Sequence, residues 1–193
     1  MEEKKKLGLA LCGSYCTYAK LFEAAEKLAE KFDLVPIMSE TASSTDSRFG
    51  SALSHIARLE GLCGRPVTNS IAGAERFGPT EPLDALLIAP CTGATLARIS
   101  HGMTDSAVAM AAKAHLRNGR PLIIAFSTND GLSGSAVSLG TLLERKGYFF
   151  VPLRQDAPTE KPRSLQCDFS LLPEAIEAAL EGRQLQPIFL PPR

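Results

Sequence analysis

The chain has 193 residues, of which 45% are apolar, and its 21 basic and 21 acidic residues give a formal net charge of zero. This length and composition predict a single globular domain spanning residues 1–193, and the missing basic excess argues against binding to nucleic acid or to a membrane surface. No apolar run approaches the roughly 18 residues of a membrane span, and the first six residues lack the apolar core of a signal peptide, so we expect a cytoplasmic protein.

The N-terminal half predicts strands that alternate with helices. Residues 7–12 and 34–38 are short apolar runs, typical of strands that are buried on both faces. Between them, one face of a predicted helix carries the apolar side chains of Leu21, Phe22, Ala25, Leu28, Ala29 and Phe32. Residues 39–47 are small and polar and predict a loop. The next helix is expected to end near Gly61 or Gly64, and its apolar residues are Ala52, Leu53, Ile56 and Leu59.

The second half continues this alternation after a less regular stretch, residues 66–82, which has room for a short strand and a short helix. The segment DALLIA, residues 84–89, gives the strongest strand signal, and we expect that strand to stop at Pro90. Asp105 is expected to cap a helix that runs to about Arg117. The remaining predictions are strands at 122–126 and 148–153, a helix at 134–146, and a final helix between Pro173 and Gly182.

The order of these elements predicts an α/β fold. Five or six strands without polar alternation, connected by helices, indicate one doubly wound parallel sheet that is covered on both faces. We therefore expect a flavodoxin-like or Rossmann-like architecture with three layers, α/β/α.

In such a sheet the ligand binds outside the carboxyl ends of the strands. Small, hydroxyl or amide residues follow the predicted strands there: GSYC at 13–16, SET at 39–41, TGAT at 92–95, STND at 127–130 and QD at 155–156. Such residues suit a phosphate, although turns and helix caps use them too, and it is their convergence at one edge that favours a binding site. The first loop has only Gly13, which fits neither GxGxxG nor a Walker A loop, so a mononucleotide such as FMN suits it better than NAD or ATP.

Few other residues are candidates for chemistry. His55 and His115 lie within predicted helices and are expected to be structural or exposed, whereas His101 is expected to end a helix. Arg48 follows the second-strand loop, where its guanidinium could bind a carboxylate or remain a solvated surface group. The five cysteines form no pattern typical of zinc, so we expect reduced, mostly buried thiols and no metal site.

Several segments together resemble a known family. IAPCTGAT at 88–95 and HGMTDS at 101–106 are similar to the AP-x-(S/T)-x-x-T loop and the G-x-x-D motif of the flavoproteins, which include FMN-containing cysteine decarboxylases and flavin prenyltransferases. The segments GSYCTY, STDSRFG, STND and QLQPI resemble, within that family, the dipicolinate synthase branch. The resemblance implies FMN bound through a phosphate cradle, with Asn129 near the flavin ring. The expected cofactor-binding residues are Gly13, Ser14, Tyr15, Ser39, Thr92, Gly93, Thr95, Thr128 and Asn129.

The sequence also departs from the family pattern. The decarboxylases carry a catalytic histidine at a place that here falls in residues 75–78, ERFG, and an asparagine where this chain has Ala94. The arginine that prenyltransferases carry after the following strand is replaced by the loop at 127–129. Decarboxylation of a peptidyl cysteine is therefore unsupported.

The dipicolinate synthase branch implies an oxidoreductase subunit that works with a second, NADP-binding polypeptide, the A subunit. Together they would oxidise dihydrodipicolinate to pyridine-2,6-dicarboxylate in the mother cell of a sporulating bacterium. Two alternatives stay open: an FMN-binding decarboxylase-like protein or flavin carrier of the same fold, and a non-catalytic subunit that stabilises its partner.

A substrate with two carboxylates needs a fixed cation, which leads to two predicted catalytic residues. We expect Arg48 to bind one carboxylate, and Asp105 to position its loop and a water that takes the proton. The resembled family also implies a trimer-based homo-oligomer, for which the apolar surface candidates are Met103, Val108, Met110 and Leu116.

Overall fold

The computed structural model describes residues 3–192, and within them seven strands form one sheet. The strands are β1 Lys6–Leu11, β2 Asp33–Met38, β3 Ala85–Cys91, β4 Leu122–Thr128, β5 Tyr148–Phe150, β6 Leu153–Arg154 and β7 Leu165–Cys167. β2, β1, β3 and β4 lie side by side in that order, and all neighbouring pairs are parallel. β5 adds a further parallel strand beside one half of β4. The flavodoxin-like α/β fold that the sequence predicts is confirmed.

Helices cover both faces of the sheet. They are α1 Tyr18–Lys31, α2 Glu40–Ser44, α3 Ala52–Cys63, α4 Ile71–Ala74, α5 Gly93–Ser100, α6 Ala107–Leu116, α7 Ala136–Glu144 and α8 Leu172–Leu180. Because crossovers between parallel strands are right-handed, the connection from β1 to β2 and the connection from β3 to β4 lie on opposite faces. Among the described residues, no helix combines the length and the hydropathy that crossing a bilayer requires.

β3 runs further than the sequence predicts. Every residue of Ala85–Cys91 is buried, and the strand continues through Pro90 instead of stopping there. The register with β4 shifts between Ile88 and Cys91, so proline sits at an irregularity where the ladder does not need its missing N–H. The extra residues carry the strand directly to the Thr92 loop.

Two segments between β2 and β3 also differ in detail from the predictions. The stretch predicted as a loop contains α2, because Ser39 Oγ accepts a hydrogen bond from the Ala42 N–H and caps that helix. α3 ends at Gly64, whose φ of +66° is the left-handed conformation of a helix C-terminus. Its buried side includes His55, whereas Leu53, one of the apolar residues that predict this helix, is 78% exposed.

The prediction that Asp105 caps α6 is wrong. The cap is Ser106, whose Oγ accepts from the Ala109 N–H at 3.2 Å. Glu40 reaches over from α2, and its Oε1 accepts from the Ala107 N–H at 2.8 Å. With these two acceptors at the helix start, the Asp105 carboxylate turns to Arg98 instead, at 3.0 Å from Nε.

The predicted last strand, 148–153, is two strands in the structure. β5 ends at Phe150, and β6 begins after Pro152. β7 then returns antiparallel, pairing with β6 and with Ser127 and Thr128 at the end of β4. The sheet is therefore mixed at this edge, and the β6–β7 hairpin stands beside the carboxyl ends of the parallel strands.

Candidate functional site

A cleft of about 1080 Å³ opens at the carboxyl ends of β1, β3 and β4. Its floor and one side are formed by the loops that follow these strands, and its other side is formed by the β6–β7 hairpin and the start of α8. The exposed face of α1 and the turn that carries Arg48 and Phe49 complete the rim. The cleft lies where an open parallel sheet is expected to bind its ligand.

The loop after β1 is held in place by its own hydroxyls. Ser14 Oγ donates to the Ser127 carbonyl at 2.8 Å, which ties this loop to the end of β4. Thr17 Oγ1 and the Thr17 N–H both bond to the Ser14 carbonyl. Gly13, Ser14 and Tyr15 all line the cleft, so the loop presents backbone and small polar groups to a ligand.

The loop after β3 leads into the start of α5. Thr92 caps this helix, its Oγ1 accepting from the Thr95 N–H at 3.2 Å. The Gly93 and Ala94 N–H groups belong to the first turn, where an α-helix has no internal acceptor for its donors. Both residues line the cleft, so this helix start offers hydrogen-bond donors and a partial positive charge to an anionic ligand.

Gly93 is required by close packing. A β-carbon at this position would lie 2.3 Å from Ser135 Oγ and 3.1 Å from Asp130 Oδ1. The same Asp130 oxygen accepts hydrogen bonds from Thr128 Oγ1 at 2.6 Å and from Ser135 Oγ at 2.9 Å. A carboxylate of the chain itself thus lies beside the α5 start, fixed by two hydroxyls.

The β6–β7 hairpin contributes a largely buried ion pair to the opposite side. Arg154 Nη2 lies 2.5 Å from Asp168 Oδ2, and the two side chains are only 17% and 9% exposed. Asp168 Oδ1 also accepts from the Ser170 N–H and hydroxyl. The Arg154 Nε is buried and has no hydrogen-bond partner among the described residues. Lys161 and Asp156 form a second, more exposed pair at 3.4 Å.

Three further cations face the cleft: Arg48, Lys20 and Lys27. The Arg48 guanidinium lies 4.8 Å from the centroid of the Phe49 ring. Lys20 Nζ reaches across to Gln166 Oε1 at 3.4 Å. None of the three forms an ion pair with a described residue, so their charge is available to an anionic ligand.

The structure brings most of the predicted site residues together. Those that line the cleft are Gly13, Ser14, Tyr15, Arg48, Thr92, Gly93, Thr128 and Asn129. Ser39, Thr95 and Asp105 do not line it. Ser39 caps α2, and Asp105 is paired with Arg98. Their hydrogen-bonding groups are engaged in holding the surrounding helices.

Thr95 is turned inward. Its Oγ1 accepts from Thr92 Oγ1 at 3.1 Å and donates to Cys12 Sγ at 3.2 Å. Burial raises the pKa of the Cys12 thiol to about 11, so it stays neutral beneath the cleft.

Cys91 and Cys167 are likewise buried free thiols. No group of three potential metal ligands occurs within residues 3–192.

The histidines lie outside the cleft lining. His101 ends α5 and is exposed, with Nδ1 at 2.9 Å from the Ala97 carbonyl. His115 is fully buried, and its Nε2 lies 2.9 Å from the Pro121 carbonyl. His55 is 7% exposed and packs under the turn that carries Arg48.

Sequence reasoning did not select several residues that line the cleft: Lys20, Lys27, Asp130, Arg154 and Asp168. The two lysines lie on the polar face of α1, a correctly predicted helix, but the sequence does not show that this face borders the cleft. Asp130 belongs to the STND loop, which the sequence does place at this edge, but no role of its own was predicted for it. Arg154 and Asp168 carry no local signal, because their contact depends on a hairpin of very short strands.

Comparisons with known proteins identify the family of this chain and relatives that share its fold. A family model described as Flavoprotein matches residues 1–140. The chain is 42% identical to the B subunit of dipicolinate synthase of Bacillus subtilis (strain 168) over 187 residues, which cover 96% of this chain and 94% of the relative. The crystal structure of the dipicolinate synthase B subunit from Bacillus halodurans C is similar with a TM-score of 0.89 and 40% identity, covering 98% of each chain. An FMN-dependent cysteine decarboxylase, 20% identical, has a TM-score of 0.66 over 92% of this chain and 95% of its own, and shares the fold.

Proposed function

Because the chain belongs to the flavoprotein family, we propose that it is the B subunit of a dipicolinate synthase. In this proposal it acts with an NADP-binding A subunit, its partner polypeptide, to oxidise dihydrodipicolinate to dipicolinate, pyridine-2,6-dicarboxylate. The observation that carries the proposal is the similarity to the Bacillus subtilis B subunit, which extends over almost the whole chain. The family model stops at residue 140, whereas that similarity includes the β6–β7 hairpin and so both sides of the cleft.

The proposed reaction makes the ring aromatic by removing two hydrogens. One leaves as a hydride, with its electron pair, to NADP⁺ held by the A subunit, and the other leaves as a proton to solvent or a base. The substrate keeps two carboxylates throughout. Its binding site therefore needs cations without ion-pair partners, and Lys20, Lys27 and Arg48 line this cleft without pairing to a carboxylate of residues 3–192.

Within this proposal Arg48 binds one substrate carboxylate. Its planar fork suits bidentate binding, and among the described residues it has no competing carboxylate. Asp105 has no part in this proposal, because its carboxylate is paired with Arg98 and neither residue lines the cleft. The proton acceptor is left to solvent or to the partner polypeptide.

The cleft also fits a flavin mononucleotide. The first-turn amides at Gly93 and Ala94 and the amide of Asn129 would hold its polar groups. Ser14 and Thr92 also line the cleft, and their hydroxyl hydrogens are donated to the Ser127 carbonyl and to Thr95 Oγ1. The support for flavin binding is the start of α5, where the Gly93 and Ala94 N–H groups have no internal acceptor and both residues line the cleft. A bound flavin would supply a two-electron carrier between the substrate and the NADP⁺ of the A subunit, so that NADP⁺ remains the final acceptor. FMN binding is part of the proposal, and NADP is assigned to the A subunit.

The proposal includes self-association in the cytoplasm of the mother cell. Of the four apolar residues expected on the surface, Met103 is half exposed, Met110 and Leu116 are partly buried, and Val108 is fully buried in the core, so it is no surface candidate. Among the structural neighbours is a dodecameric FMN-dependent decarboxylase. Light scattering at micromolar concentration should report a multiple of the 20.6 kDa chain, and a monomer would contradict this part of the proposal.

The test of the proposed reaction is a reconstituted assay. The purified chain, the A subunit, NADP⁺ and dihydrodipicolinate are combined, and dipicolinate is followed by its ultraviolet absorbance. We expect product when both polypeptides are present and little with either one alone. Product at an unchanged rate without this chain would contradict the function and favour the non-catalytic alternative.

The second candidate is a flavin carrier or decarboxylase-like protein of the same fold. The FMN-dependent structural neighbours favour it, whereas Ala94 and the segment at residues 75–78 count against the decarboxylase chemistry. In the structure Arg76 bonds to Thr68 and Glu81, and it does not line the cleft. The purified protein should take up FMN and show flavin absorbance. Flavin-dependent turnover in the absence of the partner polypeptide would favour this candidate over the first.

A further inference from the structure

The turn at residues 47–50 forms part of the cleft rim. The Ser47 N–H donates to the Gly50 carbonyl at 3.0 Å, and the Gly50 N–H donates to the Ser47 carbonyl at 3.1 Å, which closes a tight two-residue turn. Arg48 and Phe49 stand at its tip, and both line the cleft. At its base, Asp46 Oδ1 accepts from the Ala52 N–H at 2.8 Å. The position of the Arg48 guanidinium therefore depends on what supports this turn.

His55 of α3 is the support. A β-carbon built on Gly50 would lie 2.8 Å from His55 Cε1 and 2.9 Å from Nε2, so the imidazole packs directly against the turn backbone. Gly50 has a φ of +135°, which side-chain-bearing residues rarely adopt. The turn can approach the ring this closely only because position 50 has no side chain.

The same imidazole also packs against two tyrosines at the loop after β1 and the start of α1. Its ring meets Tyr18 edge-on, with centroids 4.7 Å apart, and lies nearly parallel to Tyr15 at 6.3 Å. Tyr15 lines the cleft, and its hydroxyl donates to the Thr41 carbonyl at 3.1 Å. His55 is thus the common packing partner of the Tyr15 loop and the Arg48 turn.

The surroundings of His55 suit a neutral ring. Its Nε2 is buried and has no hydrogen-bond partner among the described residues. The titratable or charged groups around it are the phenols of Tyr15 and Tyr18, Arg48 in the turn, Asp46 at its base and Arg58 on the same helix. The Asp46 carboxylate is already bound to the Ala52 N–H. Burial, and secondarily the charge of Arg58, lower the pKa of His55.

We propose that His55 is a positioning residue whose neutral imidazole fixes the Arg48 turn against the Tyr15 loop, and that protonation of the ring releases the turn. A charged imidazole would need water or an acceptor at Nε2, and because the Gly50 turn packs directly against this buried atom, movement of the turn would admit water. Because the pKa of His55 is lowered in the folded protein, the unfolded chain binds the proton first as the pH falls below about 6.5. The packing of the turn is therefore fully stabilised at neutral pH and weakens as the pH falls.

The test is hydrogen exchange of the Phe49 and Gly50 amides, corrected for intrinsic rates. In wild type we expect exchange to rise about tenfold between roughly pH 7.5 and pH 5, the interval that contains the ordinary pKa of histidine. His55→Phe keeps a ring that cannot be protonated and should abolish this rise, whereas His55→Ala should exchange fast at both pH values. His115→Phe is the matched control, since that histidine is also buried but lies away from the turn, and it should leave the rise intact.

The inference is overturned if wild-type exchange at the turn does not change with pH, or if the rise persists in His55→Phe. The pH dependence of exchange in the wild-type protein tests the inference even if one of the variants does not fold. The consequence for binding rests on the proposed function: dipicolinate affinity should fall with the same pH profile in wild type and not in His55→Phe. A turn that opens with pH in a protein that binds no dipicolinate would reject the proposed function and leave the positioning role intact.

Discussion

The two sides of the cleft are built by different means. On the strand-end side, which comprises the loops at residues 13–17, 92–95 and 127–130, the backbone and hydroxyls make the surface, and glycine allows the close approach. The hairpin side comprises residues 153–168. Its surface is formed by two ion pairs, Arg154–Asp168 and Lys161–Asp156. The first side lies within the residues that the family model matches, and the second lies beyond them.

This difference indicates how a common fold acquires a particular ligand. Backbone amides at a helix start suit any anionic group and depend little on which side chains surround them. Charged side chains on a hairpin bind through their particular positions, and these positions depend on long-range contacts. We infer that the strand-end side provides general anion binding, while the hairpin side and the rim cations select the ligand.

The largest expected effect comes from breaking the hairpin side. Arg154→Met removes the guanidinium from Asp168, a carboxylate that is only 9% exposed but keeps the two Ser170 donors, and should lower the free energy of unfolding by about 1–3 kcal/mol. Urea denaturation measures this. The control is Arg183→Met, which breaks an exposed pair with Glu181 and should cost less than about 1 kcal/mol. If the two variants lose similar stability, the buried pair does not hold the hairpin.

An effect of at most this size is expected from crowding the strand-end side. Gly93→Ala places a methyl group 2.3 Å from Ser135 Oγ, and overpacking of this kind should cost about 1–3 kcal/mol. It should also weaken FMN binding, measured by titration of flavin fluorescence. Gly140→Ala is the matched control, since nothing lies within 4 Å of its position in α7, and it should stabilise the protein by about 0.4–1 kcal/mol. Unchanged flavin affinity in Gly93→Ala would mean that the α5 start does not hold the ligand.

The smallest effect on stability is expected from a change at the rim, Arg48→Lys. This change should instead affect substrate binding. Arg48→Lys keeps the charge but loses the planar fork, so KM for dihydrodipicolinate in the reconstituted assay should rise about tenfold. The free energy of unfolding should change by less than about 0.5 kcal/mol, as for other surface changes. Arg117→Lys, at a position outside the cleft, is the control. Loss of a charged hydrogen bond should lower kcat/KM about tenfold. If kcat/KM of Arg48→Lys stays within about twofold of wild type, Arg48 does not bind the substrate and is a surface residue.

The sequence by itself determined the parallel core and most of the strand-end side. Apolar runs at β1 to β4 predict buried strands, and Gly64, Pro173 and Gly182 mark helix ends correctly, because these signals are local. Once the strands are parallel, their carboxyl ends must meet, which is why Ser14, Thr92 and Asn129 could be assigned to one cleft in advance.

Only the tertiary structure decided which polar groups face that cleft. Thr92 and Thr95 are equally plausible cleft residues in the sequence, yet the Thr95 hydroxyl turns inward to Cys12. Ser106 caps α6 in place of Asp105, because Glu40, which is distant in the chain, bonds to the helix start and Arg98 pairs with Asp105. The β6–β7 hairpin is the clearest case. Its strands of two and three residues have too little periodicity to be predicted, and they form through pairing with the end of β4. Side-chain partners brought together by such non-local pairing follow from the packing of the whole chain, and no local segment specifies them.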